Sequence, residues 1–302
     1  MRVNVVDVAG LRKQYAGTVA VDDVSFSIAE AELFGLIGPD GAGKTTVMRI
    51  LCGLLTKETG DCRIFGFDVK KQLVEIKKII GYMPQRFSLY PDMTVDENMS
   101  FFAELYQVPD QERRERAERL LKFSNLGPFR KRRSEQLSGG MKQKLALSCT
   151  LIHTPKLLIL DEPTTGVDPV SRREFWQILH DLRKEGVTIL VSTPYMDEAR
   201  QCDRIAMIHR GKILAIDSPA IIAGLFPRQL VEIICADLIP TAKKLEGWDA
   251  IHSVQIFGDK IHVTTSDARR AMESIGREIA GIKAMQVIPP TIEDTFIELM
   301  KQ

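Results

Sequence analysis

An amine and a hydroxyl stand side by side at Lys44 and Thr45, closing the octet Gly38-Pro39-Asp40-Gly41-Ala42-Gly43-Lys44-Thr45. The octet fits G-x-x-x-x-G-K-[ST], the pattern of a loop whose backbone amides converge on phosphate oxygens. Glycines let those amides approach an anion with no Cβ in the way. Lys44 would reach the β- and γ-phosphates and the Thr45 hydroxyl would bind Mg²⁺. A second chemical cluster follows much later, where the apolar run Leu157-Leu158-Ile159-Leu160 closes on two carboxylates, Asp161 and Glu162. Asp161 is suited to hold Mg²⁺, directly or through water, and Glu162 to polarise an attacking water. Gln85 ends a brief apolar stretch, where its amide could touch Mg²⁺ or that water. Ser138-Gly139-Gly140 opens a helix and offers a second anion-binding end.

These groups need elements to hold them. Leu33–Ile37 reads as a strand and Thr46–Leu51 as a helix, the strand–loop–helix context that a phosphate loop requires. The fully apolar 157–160 run reads as a central parallel strand, whose C-terminal edge is where ligands bind in open α/β sheets. Residues 3–8 and 21–28 read as strands around a turn at Ala16-Gly17, with Val24-Ser25-Phe26-Ser27-Ile28 alternating as a half-buried antiparallel strand does. Tyr15, just before that turn, could stack on a purine base or serve as an edge or core tyrosine. Residues 60–68 read as a short strand ending in a turn, and 69–79 as helical. The connection 86–97 is apolar for a loop, with Phe87, Leu89, Tyr90, Met93 and Val95, and either packs locally or meets a partner. Residues 96–127 read as helical with a charged, ion-paired face, Arg130–Arg133 as a solvated loop, and 141–152 as a helix. A helix at 171–185, a strand at 187–193, a helix from Pro194, and a hairpin across Arg210-Gly211 follow.

The 302 residues are 44% hydrophobic and 27% charged, with a net charge of +1, so no global field argues for nucleic acid or an anionic membrane surface. Five scattered cysteines without a C-x-x-C read as reduced core thiols of a cytosolic protein. The first residues lack the apolar core of a signal peptide, and no apolar run approaches the length of a membrane span. Asn98-Met99-Ser100 fits the glycosylation pattern, which carries no meaning in a cytosolic chain.

Across roughly residues 3–220, the chain resembles the ATP-binding subunit of an ABC transporter. The phosphate loop, Gln85, Leu137-Ser138-Gly139-Gly140-Met141-Lys142-Gln143 and Leu160-Asp161-Glu162-Pro163 stand in that family's order and spacing. The resemblance implies an α/β P-loop NTPase fold of the ABC ATPase type, with an antiparallel β subdomain and a helical subdomain at about 86–154. It implies an ATP-binding domain over 1–224 and a small C-terminal α/β appendage over 225–302. Two such domains would sandwich two ATP molecules, with Ser138, Gly139 and Gly140 serving the partner's nucleotide. The nucleotide bound to this chain would lie on Gly38, Pro39, Asp40, Gly41, Ala42, Gly43, Lys44, Thr45 and Thr46. Tyr15 would stack on adenine, and Thr45, Gln85 and Asp161 would hold Mg²⁺. Glu162 and Gln85 would act in hydrolysis, and Asp168 would contact the second domain. The loop after Gln85 would meet a membrane permease that fixes the protein to the inner face of the cell membrane. The alternative, a soluble ABC ATPase acting on ribosomes or DNA, usually carries two ATP domains or a long coiled coil. Here one phosphate loop and no heptad run are found.

The family usually places a histidine after strand–Ser–Thr to contact the γ-phosphate, and this chain has Pro194. Proline offers neither a side-chain donor nor an N–H. It suits the first position of a helix, which is the placement expected for it. Slow turnover at the Lys44–Glu162 site and an asymmetric pair with a different domain are the expectations. In the tail, strands at 229–234, 254–257, 260–264 and 284–288 and helices at 240–248, 266–280 and 291–301 are expected. The segment Pro290–Phe296 resembles the tails of ATPases that work with ABC-2-type permeases, which points to export.

Overall fold

Alternation at Val24–Ile28 does produce an antiparallel strand. In the computed structural model, which describes residues 3–86 and 89–301, the chain opens with a long hairpin, β1 (Asn4–Tyr15) and β2 (Thr18–Ala29), turning at Ala16-Gly17. β3 (Leu33–Ile37) leads into α1 (Lys44–Leu51), and β4 (Thr59–Ile64) and β5 (Phe67–Asp68) complete a sheet in the order β2-β1-β4-β5. After α2 (Leu73–Ile79) and β6 (Ile80–Met83) comes a helical stretch of α3 (Val95–Leu105), α4 (Asp110–Phe123) and α5 (Gly139–Leu151). β7 (Leu157–Asp161), α6 (Pro169–Lys184), β8 (Thr188–Thr193), β9 (Arg204–His209) and β10 (Lys212–Asp217) finish this part. The second sheet runs β10-β9-β3-β8-β7-β6, parallel except for the β9–β10 hairpin. β3, β7 and β8 are buried along their whole length, as strands covered on both faces must be.

Three expectations are corrected. The 96–127 helix is two helices, because Pro109 lacks an N–H and restricts Val108 before it. Gln107 takes a positive φ of 56° there, and Pro109 instead caps α4. Arg130 is not simply solvated, since its guanidinium bonds Asp96 at 3.0 Å and Glu118 at 2.7 Å. Pro194 is not the first residue of a helix. Thr193 Oγ1 takes the Tyr195 N–H at 3.1 Å, turning the chain, and a 3₁₀ helix begins only at Met196 and runs to Gln201. Of the apolar connection after Gln85, Phe87 lies outside the described residues. The middle of the connection is tied to buried Asn98, which accepts from the Tyr90 N–H and donates to the carbonyls of Tyr90, Met93 and Thr94.

The chain divides into two compact units, Met1–Pro219 and Ala220–Gln302. α7 (Pro219–Gly224) begins at that division. In the second unit, β11 (Gln229–Cys235), β12 (Ile251–Phe257), β13 (Lys260–Thr265) and β14 (Ile282–Ile288) form an antiparallel sheet ordered β12-β13-β11-β14. α8 (Leu238–Leu245) and α9 (Ala268–Glu278) cover one face over Val231, Ile233, Ile261 and Val263. Beside α10 (Ile292–Leu299), the other face carries a polar cluster, in which His262 Nδ1 lies 3.1 Å from Asp294 and Lys260 donates to Glu232 at 2.8 Å. Asp294 and Thr291 form the capping box of α10. Among the described residues, no helix is long and apolar enough to cross a membrane.

Candidate active site

The phosphate loop is clamped by strands that the octet itself does not name. A Cβ on Gly38 would sit 2.2 Å from the backbone oxygen of Ile208, so β9 leaves room for glycine alone. Gly43 has φ +107°, and a Cβ there would meet the Ala20 oxygen at 2.5 Å. The Gly211 N–H, in the β9–β10 turn, donates to the Ala42 oxygen at 2.9 Å, and Gly38 N–H donates to Thr193 O at 3.3 Å. The loop's position is therefore set by β2, β8 and the β9–β10 hairpin together. A pocket of about 250 Å³ opens here, lined by Ala20, Gly41, Ala42, Gly43, Lys44, Thr45, Thr46 and Glu162.

At the C-terminal ends of β3, β7 and β8, the chemical groups converge. Lys44 Nζ donates to the oxygens of Gly38 (2.7 Å) and Pro39 (3.0 Å) and pairs with Glu162 Oε1 at 3.1 Å, both side chains being buried. Gln85 Nε2 donates to Glu162 Oε2 at 2.9 Å. Glu162 itself has φ +51°, a left-handed conformation that costs a non-glycine residue about 1–2 kcal/mol. Its N–H is held by Ser192 through both the backbone oxygen and Oγ. Asp161 Oδ1 accepts from Thr45 Oγ1 at 3.1 Å and Ser192 Oγ at 2.8 Å, while its buried Oδ2 has no hydrogen-bond partner. Burial raises the Asp161 carboxyl above its ordinary range, against the opposing pull of the Ser192 and Thr45 hydroxyls. A desolvated carboxylate with one orphaned oxygen beside a threonine hydroxyl fits a hard divalent cation such as Mg²⁺.

The family model described as ABC transporter matches residues 21–165. The chain is also 34% identical to the Nod factor export ATP-binding protein I of Rhizobium sp. (strain N33), over 97% of this chain and 96% of that one. The chain belongs to the ABC transporter ATP-binding family. This cassette is 48% identical to the probable multidrug ABC transporter ATP-binding protein YbhF of Escherichia coli over 217 residues, 71% of this chain but only 38% of YbhF. Among solved structures, cbiO1 from Clostridium perfringens, part of an ABC transporter complex, covers 74% of this chain and is itself 91% covered, with TM-score 0.68 and 27% identity. A dimeric ATP-binding cassette in a post-hydrolysis state with ADP and Pi matches 70% of this chain and 98% of its own, with TM-score 0.64 and 28% identity.

The cassette does not bring all its expected site residues together. Ser138 caps α5, accepting the Met141 N–H, and Ser138 and Gly139 are exposed. A Cβ on Gly139 would lie nearest the Gly166 oxygen, and one on Gly140 would strike the Ser171 side chain at 2.3 Å. This end lines a separate pocket of about 470 Å³ with Gln85, Leu89, Pro91, Thr165 and Val167, not the Lys44 pocket. Tyr15, 43% exposed, stands at the β1–β2 tip with the Lys13 ammonium 5.4 Å from its ring centroid, outside the lining of the Lys44 pocket. Pro39 is half-buried and Asp40 exposed on the loop's outer side. Asp168 accepts the Val170 and Ser171 N–H groups and so caps α6. His180, one of the nearest histidines to Pro194 in sequence, is engaged with Gln201. Sequence reasoning missed Ser192, which ties Asp161 to Glu162. Its only signal is a hydroxyl near the end of an apolar strand.

Proposed function

We propose that the chain is the ATP-binding and hydrolysing motor subunit of an ABC-type exporter that drives a separate membrane permease. The observation that carries this reading is the convergence of Lys44, Thr45, Gln85, Asp161 and Glu162 at one sheet edge, with the Ser138 end turned to a different pocket. That separation suits a site completed by a second domain. The triphosphate would lie along Gly38–Thr46 with Tyr15 against the base, and Lys44 would exchange its Glu162 partner for phosphate oxygens. Thr45, Asp161 and Gln85 would hold Mg²⁺, which when bound neutralises charge on the β- and γ-oxygens. Glu162, released from Lys44 and still held by Gln85, would accept the proton of the attacking water. Export is supported by the names of the Nod factor relatives, which match this chain nearly end to end, and by the resemblance of the segment Pro290–Phe296 to the tails of ATPases that work with ABC-2-type permeases. The groove beside Gln85, Leu89 and Pro91 would receive the permease, holding the protein on the inner face of the membrane.

Pro194 supports an asymmetric pair. It directly follows Thr193, whose oxygen accepts the N–H of the first loop glycine, and it has no donor to offer a phosphate. The test is co-purification from membranes. Recovery with a polytopic subunit and a second, non-identical ATP-binding chain supports the proposal. Recovery with ribosomes or DNA and no membrane subunit contradicts it.

A further inference from the structure

Glu198 is a carboxylate only 3% exposed, on the 3₁₀ helix that follows Pro194. One oxygen accepts from Thr193 Oγ1 at 2.5 Å and the other from Thr164 Oγ1 at 2.7 Å. Burying a carboxylate is costly unless it is hydrogen-bonded and its charge answered. The charge is answered by Arg172 of α6, whose Nε lies 3.5 Å from the carboxylate without forming a hydrogen bond. The same guanidinium stacks over the Tyr195 ring at 4.4 Å.

Those partners sit on two walls of the site. Thr193 is the residue whose oxygen holds the Gly38 N–H, and it directly follows Ser192, which holds both Asp161 and Glu162. Thr164 lies two residues after Glu162, in the loop leading to Asp168, and Arg172 is one helical turn beyond that cap. A hydroxyl on each wall therefore donates to one carboxylate. The segment 193–195 and the loop 162–168 cannot separate without leaving a buried charge unsatisfied.

We propose that Glu198 is a positioning residue, clamping the strand end that carries Pro194 to the loop that carries Glu162 so that the two keep one fixed spacing. With no histidine donor after Thr193, alignment of Glu162 rests the more on this clamp. Glu198 touches no reacting atom. It acts through Thr193, Thr164 and Ser192, and its effect on hydrolysis rests on the ATPase reading above.

The test compares Glu198→Gln, which keeps shape and one acceptor oxygen, with Glu198→Ala, and adds Thr164→Val as a variant that leaves the carboxylate in place. Two readouts are taken on the full chain. In steady-state ATP hydrolysis, a misplacement of about 1 Å costs on the order of 100-fold. The expected result is a kcat loss of about 10- to 100-fold for Glu198→Ala with KM changed by less than about threefold, and recovery of most of it in Glu198→Gln. In hydrogen exchange, Glu198→Ala and Thr164→Val should speed exchange in peptides covering 36–44 and 160–168 while the C-terminal unit stays unchanged. Equal loss of kcat in the Gln and Ala variants, or faster exchange everywhere, would overturn the proposal in favour of a purely structural carboxylate. Because the chain itself is expected to turn over slowly, the hydrolysis readout is also taken in a Pro194→His background. If neither that variant nor the wild-type chain hydrolyses ATP, the ATPase reading fails. The exchange result then decides the clamp alone.

Discussion

Glu162→Gln should lower the melting temperature of the nucleotide-free protein, and Asp161→Asn, one residue earlier, should raise it. Glu162 has both oxygens engaged, by Lys44 at 3.1 Å and Gln85 at 2.9 Å. At 3.1 Å and an effective dielectric of about 20, opposite charges attract by about 5 kcal/mol before desolvation is subtracted. Removing one partner of a buried pair costs about 3–5 kcal/mol. Lys44 keeps two carbonyl acceptors and glutamine keeps one oxygen, which brings the expectation to about 2–3 kcal/mol. For a unit of this size that is a fall of about 5–10 °C.

Asp161 is the opposite case. Its carboxyl is raised by burial, so its contribution to stability is complete below the ordinary value of 3.8 and is lost as pH rises through the native value. Above that native value the buried carboxylate, with one oxygen unpartnered, is a cost. Relief by asparagine is worth about 0.5–2 kcal/mol, or about 2–6 °C. Mg-ATP should then separate the variants again, raising the melting temperature of Glu162→Gln strongly and that of Asp161→Asn little. Differential scanning fluorimetry at pH 7, with and without Mg-ATP, reads all four values. A nucleotide-free Glu162→Gln protein as stable as wild type would refute the ion-pair argument. An Asp161→Asn protein less stable than wild type would refute the orphaned-carboxylate argument.

Two further outcomes are expected. Gly38→Ala places a Cβ 2.2 Å from a backbone oxygen that cannot swing away, so it should cost about 1–3 kcal/mol in thermal unfolding and weaken ATP binding at least tenfold in a titration. In the C-terminal unit, Glu232 is lowered by Lys260 and Gln286. Burial works to raise Asp294, but hydrogen bonds from His262 and Thr291 outweigh it and leave it lowered. Stability from both is present above their ordinary values of 4.5 and 3.8 and is lost as pH falls through the native ones. Protection of the α10 amides relative to their intrinsic exchange rates should therefore fall below about pH 4, and less steeply in a Glu232→Gln/Asp294→Asn protein, which a pH series of hydrogen exchange on both measures.

What could be read from the chain beforehand was whatever is contiguous or periodic. The octet names its own chemistry, the 157–160 run ends on its two acids, and Val24–Ile28 shows its faces by alternation. Ser138 was readable as a helix cap from its place before a helical run. What could not be read depends on contacts distant in sequence. Nothing near Gly38 says that Ile208 will press on it, and nothing near Glu162 predicts a positive φ held by Ser192. Asn98 looked like part of an idle glycosylation pattern, yet it organises the loop after Gln85 through four backbone bonds. Pro109 was a local signal for the α3–α4 break, outweighed by the charged periodicity around it. Pro194 misled because local geometry favoured a helix start, while the Thr193 hydroxyl captured the Tyr195 N–H instead.

As proposed above, this cassette assembles a hydrolytic site lacking one donor. That proposal is tested most directly by steady-state ATP turnover of the purified chain beside Pro194→His, with Glu162→Gln as the blank. Wild-type turnover close to the blank, well below about 1 per second, and a rise of tenfold or more with the histidine are the expected results. Wild-type turnover at about 1–10 per second, unchanged by the histidine, would contradict it and make the chain a self-sufficient motor.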